Sequence, residues 1–114
     1  MNIFSTEAFR ELALSFDEVT EAPNLGKNTF KVDDKIFITI DNTNAKAIFK
    51  LSVADQNLFS DYDPSAIYPA PAGWGKQGWT IFEINFIEAE KLKEALTKSY
   101  CSVAPEKFAK KYSK

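Results

Sequence analysis

The sequence contains no histidine, one cysteine and one arginine. Without histidine there is no Ser-His or Cys-His nucleophile pair, no histidine metal site and no imidazole acid–base chemistry. Cys101 stands alone, which excludes an intrachain disulfide and a cysteine-rich zinc site and leaves packing near a helix end as its expected role. Arg10 is the only source of a guanidinium fork for bidentate base readout. No apolar run approaches the roughly 20 residues of a membrane span, and no basic patch followed by an apolar core opens the chain. Internal repeats, low-complexity tracts and linkers are missing too. The expectation is a soluble protein of a reducing, cytoplasmic setting.

Ten Phe, four Tyr and two Trp in 114 residues supply what a core needs. A chain of this length reads as one domain over residues 1–114, burying about 60–70% of its unfolded surface. The net charge of −2 is unevenly placed. Residues 1–26 carry one positive and five negative side chains, residues 27–90 six and nine, and residues 91–114 seven and two. A basic tail suits a local anionic partner, but the plainer reading is that its lysines solvate the outer faces of helices.

Along the chain, Ser5 is the expected N-cap of a helix over residues 5–15, with Phe9, Leu12, Ala13 and Phe16 inward and Arg10 and Glu11 outward. Val19 to Leu25, containing Pro23, reads as a short edge strand. Phe30 and Val32, then the turn Asp33-Asp34, then Ile36, Ile38 and Ile40 on one face, define a β-hairpin. Asp41 to Asn44 forms the next turn. Ala47, Phe49, Leu51 and Val53 alternate with Lys46, Ile48, Lys50 and Ser52 as a strand with one buried and one partly wet face. A short helix at 54–61 carries Leu58 and Phe59, and Asp61 and Asp63 are turn chemistry. Residues 65–72 connect to a strand from Thr80 to Phe86. A helix at 88–100 has Ala89, Leu92, Leu96 and Tyr100 inward, and Pro105 opens a last short helix.

Gly73, Gly75 and Gly78 spell the phosphate-cradling pattern G-x-G-x-x-G. That chemistry needs a strand before the glycines and a helix N-terminus after them. Prolines precede them here and an alternating aromatic strand follows, so no nucleotide loop is expected. Two readings are left: a flexible β-connection whose tryptophans fold back as anchors, which is preferred, and an exposed wing with Lys76 for a phosphate and Trp74 as a stacking side chain.

Hairpin-linked strands with helices gathered at the ends predict an α+β two-layer sandwich, an antiparallel sheet packed by helices. Several of these residues resemble the MmcQ/YjbR family. Asn28-Thr29-Phe30-Lys31-Val32 with Lys35-Ile36-Phe37 is similar to its first hairpin, and Gly75-Lys76-Gln77-Gly78-Trp79-Thr80 to its second. Ser99-Tyr100 with Val103, Pro105 and Lys107 is similar to its close. The resemblance covers nearly the whole chain from Ala13 onward. It implies a compact fold like the frataxin-like and secretion-chaperone-like sandwiches, and DNA binding by two hairpins acting as a double wing. Lys27-Asn28 stand where the family often has His-Pro, so no role of that histidine transfers.

Three functions follow for weighing. A weak, sequence-independent DNA-binding module would use Lys27, Lys31 and Lys35 on the first wing, Trp74 and Lys76 on the second, and Lys107, Lys110 and Lys111 as added phosphate contacts. The alternative is a protein-interaction or chaperone-like adaptor that takes its partner on an open sheet face or edge. An enzyme is not expected: the chain offers no catalytic residue set, no metal ligands and no cofactor motif.

Overall fold

The first helical stripe does what its spacing predicts: Phe9, Ala13 and Phe16 are buried and Leu12 packs beside them. A computed structural model of the chain describes residues 6–24 and 27–112. Its helices are α1 (Thr6–Leu14), α2 (Val53–Tyr62), α3 (Ala89–Val103) and α4 (Glu106–Ala109). Its strands are β1 (Val19–Asn24), β2 (Lys27–Val32), β3 (Lys35–Asp41), β4 (Lys46–Lys50), β5 (Ile67–Pro69) and β6 (Trp79–Glu83). Short 3-10 helices occupy Ala72–Gln77 and Ile84–Phe86. Ser5 and Leu25 lie outside the described residues.

The strands form one antiparallel sheet in the order β1-β2-β3-β4-β6-β5. Ring contacts show which face the helices cover. Phe49 on β4 lies 5.6 Å from Phe9 of α1 and 4.7 Å from Phe82 on β6, which in turn meets Phe59 of α2 at 5.5 Å. Tyr100 of α3 packs edge-on against Phe37 at 5.6 Å and donates its hydroxyl to the Asp17 carbonyl at 2.7 Å. Burial pushes the Tyr100 phenol up to about 12. The α+β two-layer sandwich expected from the pattern is therefore the fold.

Four local expectations change. Arg10 does not simply point outward; it grips Glu21 of β1, with Nε 2.8 Å from Oε2 and Nη2 2.8 Å from Oε1, and holds that carboxyl below its ordinary range. Val53 does not continue the strand, because Ser52 accepts from the Asp55 N–H at 3.1 Å and caps α2. The strand after the glycines ends at Glu83 instead of Phe86. Its partner β4 runs out there, at the pair Lys46–Glu83, and the chain coils into the 3-10 turn.

The fourth change matters most for function. Ile36, Ile38 and Ile40 do not share a face. Phe30 pairs with Ile38 but Lys31 pairs with Ile36, so Phe37 is an extra residue in β3, a β-bulge. Phe37 and Ile38 are both buried as a result, and Ser99 donates its hydroxyl to the Phe37 carbonyl at 2.7 Å. Ile36 is turned to the opposite face and is 40% exposed.

Candidate binding surface

Side chains alternate across a strand, and paired residues share a face. The register therefore defines the face that the helices leave bare. Its first row, Lys27-Asp41-Lys46-Glu83, crosses four strands with alternating charge. Lys46 Nζ lies 3.7 Å from Glu83 Oε2, and that carboxylate raises the Lys46 ammonium above its ordinary range. Asp41 is held below the usual carboxylate range, first by the Asn44 side-chain amide and further by Lys27. Tyr68 donates its hydroxyl to Glu83. This end of the face is neutralised within itself.

The middle row runs Ala22-Thr29-Thr39-Ile48-Ile81-Tyr68 and shifts from small or hydroxylic to apolar as it crosses the sheet. The third row holds two directly opposed pairs, Lys31 with Ile36 and Lys50 with Trp79. Among the described residues neither Lys31 nor Lys50 has an ion-pair partner.

The chain between β5 and β6 stands over this third row. Ile36, Thr39, Ile48, Trp79 and Ile81, together with Ala70-Pro71 and Trp74, line a groove of about 330 Å³. Trp74 sits on the 3-10 helix and is 58% exposed. The connection that carries it is locked, contrary to the flexible one expected. Gly78 closes it in the left-handed region at φ 103° and accepts at its carbonyl from Leu51 N–H at 2.9 Å. A Cβ at Gly78 would stand 1.9 Å from the Leu51 carbonyl oxygen, so only glycine fits. From below, buried Gln56 of α2 directs its side-chain amide at the carbonyls of Gly75 (2.9 Å) and Trp79 (3.3 Å) and at the Thr80 hydroxyl (3.1 Å). The glycines lead into an antiparallel ladder through a left-handed cap, and the phosphate-loop pattern has no helix N-terminus behind it.

The eight residues proposed from the sequence are divided by the structure. Lys31, Lys35, Trp74 and Lys76 fall at one end of the sheet, where β3 and β6 begin and β4 ends. Lys27 lies at the opposite end of β2, facing Asp41. Lys107 lines a separate cleft with Glu18, Asp33 and Asp34; Lys111 pairs with Asp17 at 3.3 Å; Lys110 is exposed at the end of α4, which packs on α3. The sequence reading passed over Lys50, Ile36, Ile81 and Gln56. The alternation Lys46-Ile48-Lys50 was the available signal for the first of these, and nothing local marks Gln56. Among the described residues no group of three or more His, Cys, Asp or Glu side chains is arranged to hold a metal ion.

A six-stranded antiparallel sheet with helices on one face and a tryptophan-roofed groove on the other makes this an α+β two-layer sandwich. A family model described as YjbR matches residues 14–102, and the chain belongs to the YjbR family. The fold is similar to the crystal structure of Deinococcus radiodurans protein DR2400, a structure of the family-model domain DUF419. The TM-score is 0.78 and the identity 18%, over 95% of this chain and 87% of that one; at such identity the likeness is one of fold. No curated protein matches the chain. Among the described residues no helix is long and apolar enough to cross a membrane.

Proposed function

We propose that this protein is a non-catalytic docking module that binds a protein partner on the bare face of its sheet. The observation that carries the reading is the groove: an apolar depression with a rigidly mounted, 58% exposed tryptophan at its rim. Covering a single large apolar side chain there is worth about 1.5–3 kcal/mol, and interface hot spots favour Trp surrounded by such packing. The sheet edges are poor templates by comparison. β1 contains Pro23, and β5 is three residues long and ends in Pro69, so strand addition is hindered at both. The test is affinity capture under nuclease treatment with wild-type protein and with Trp74→Ala. A stoichiometric protein lost with Trp74→Ala supports docking on this face. A partner retained by both Trp74→Ala and Ile48→Asp excludes it.

A second reading is DNA binding by the double wing that the family resemblance implies. It is favoured by the gathering of Lys31, Lys35 and Lys76 with Trp74 at one end of the sheet. The tip of the first wing works against it, since Asp33-Asp34 would be the first side chains to meet a phosphate backbone. Fluorescence anisotropy with a labelled 20-base-pair duplex separates the two. Saturable binding that weakens steeply between about 50 and 200 mM salt, and disappears in Lys31→Ala/Lys35→Ala/Lys76→Ala, would replace the docking reading.

A further inference from the structure

The bare face is electrostatically lopsided, and this gives the partner a chemistry. At the end away from the groove, Lys27 and Lys46 each face an acid, Asp41 or Glu83, in an alternating ladder. At the groove, Lys31 and Lys50 lie directly opposite two of its lining residues, Ile36 and Trp79, and neither has a carboxylate partner among the described residues. Lys76 is exposed two positions from Trp74. The acids nearest Lys31 in sequence, Asp33 and Asp34, line the cleft with Glu18 and Lys107 instead. Lysines with no carboxylate at ion-pair distance among the described residues are thus gathered beside the apolar groove, in a chain whose net charge is −2.

We infer that the groove takes a segment of a partner protein in which a large apolar side chain is flanked by acidic residues. The apolar anchor enters beneath Trp74, and the flanking carboxylates lie against Lys31, Lys50 and Lys76. The lining decides against a nucleobase as the anchor. Ile36, Ile48 and Ile81 bring no hydrogen-bonding group, Thr39 brings one hydroxyl and Trp74 and Trp79 one indole N–H each, whereas a buried base leaves several polar edge atoms, acceptors and donors both, to satisfy. An aliphatic or aromatic protein side chain leaves none. The cation rim then acts as the selective element, because charge complementarity steers association and rejects like-charged partners.

This inference rests on the docking reading above, and its test separates the two. Three capped nine-residue peptides share a central Phe-Leu pair flanked by Glu, by Gln or by Lys. Binding is followed by amide shifts of Ile36, Ile48 and Ile81 and by the Trp74 and Trp79 indole signals. Two or three exposed ion pairs give an expected preference of about tenfold for the Glu-flanked peptide over the Gln-flanked one at low salt. That preference shrinks in about 0.5 M salt. Lys31→Glu/Lys50→Glu, which leaves the groove lining intact, reverses the order so that the Lys-flanked peptide binds best. Equal affinity for all three peptides overturns the charge inference and leaves docking on this face standing. No shift at the groove with any peptide overturns both. Perturbation of the same residues by oligo-dT at lower concentration than by the Glu-flanked peptide overturns the choice of a protein segment.

Discussion

Two connections reverse the chain at the same end of the sheet, and they do so by opposite means. Between β2 and β3 the turn is two residues, Asp33-Asp34, both in the left-handed region at φ 54° and 63°. That conformation matches the twist of paired strands but disfavours side chains with a Cβ, and short polar residues tolerate it better than most. Between β5 and β6 the chain spends a 3-10 helix on the same reversal, with left-handed positions at Ala72 (φ 59°), where that helix opens, and at Gly78, which closes it. One connection is minimal, local and acidic at its tip. The other is broad, anchored from below by Gln56 and offers a tryptophan to solvent. A loop so anchored that exposes a large apolar side chain is a poor way merely to link two strands, and this contrast is what supports the docking role proposed for the second connection.

The comparison can be broken most severely at Gly78. Its Cβ would meet the Leu51 carbonyl at 1.9 Å, and relief would sacrifice the Leu51–Gly78 hydrogen bond. Gly78→Ala is expected to cost more than about 3 kcal/mol in urea denaturation. A loss under about 1 kcal/mol would mean that the connection yields easily. Next comes Gln56→Leu, which takes the side-chain donor from the Gly75 and Trp79 carbonyls, leaves each only its backbone donor (Gly78 and Ala70 N–H), and should cost about 1.5 kcal/mol. Its signature is a broadened Trp74 indole resonance while the Asp33-Asp34 turn is unchanged.

A control lies on the covered face, in contact with neither connection's tip. Tyr100→Phe removes the bond to the Asp17 carbonyl and should cost about 1 kcal/mol near neutral pH. The folded state holds this phenol neutral, with its pKa raised from 10.0 to about 12, so its contribution is complete below pH 10 and is lost as pH rises from there through about 12. The stability gap between wild type and Tyr100→Phe should therefore narrow over that interval in denaturation series at stepped pH; a constant gap would contradict the burial. At the minimal turn the sign reverses. Asp34→Gly relieves a left-handed Cβ and is expected to stabilise by about 0.5 kcal/mol, read as a rise in melting temperature. Trp74→Ala should be the smallest change in stability, below about 0.5 kcal/mol, since the side chain is already 58% exposed. A larger loss would make Trp74 an anchor of the fold and not a side chain held out for a partner.

Much of the architecture was legible before any coordinates. The 3.6-residue stripes of α1 and α3 and the alternation of β4 named Phe9, Ala13, Leu92, Leu96, Tyr100 and Phe49 as core, and each is buried. The hairpin at Asp33-Asp34 and the edge position of the strand containing Pro23 were legible for the same reason: turn and proline chemistry act on the backbone within a few residues. The candidate surface was legible only in fragments. Trp74, Lys76 and Lys31 stood out individually, but Lys50 and Ile81 were read as parts of strands, and Gln56 is one glutamine on a short helix.

Composition and periodicity by themselves determined the order of elements, the identity of most core side chains and the absence of histidine chemistry, because each depends on residues close together along the chain. Only the tertiary structure decided which face of the sheet would be left bare, which lysines would find acids across the strands, and where the groove would open. Those outcomes depend on cross-strand register, and one extra residue at Phe37 was enough to send Ile36 from the expected core face to the rim of the groove. A one-residue change in strand pairing inverts the side chain beyond it, and no local pattern in β3 announces that change.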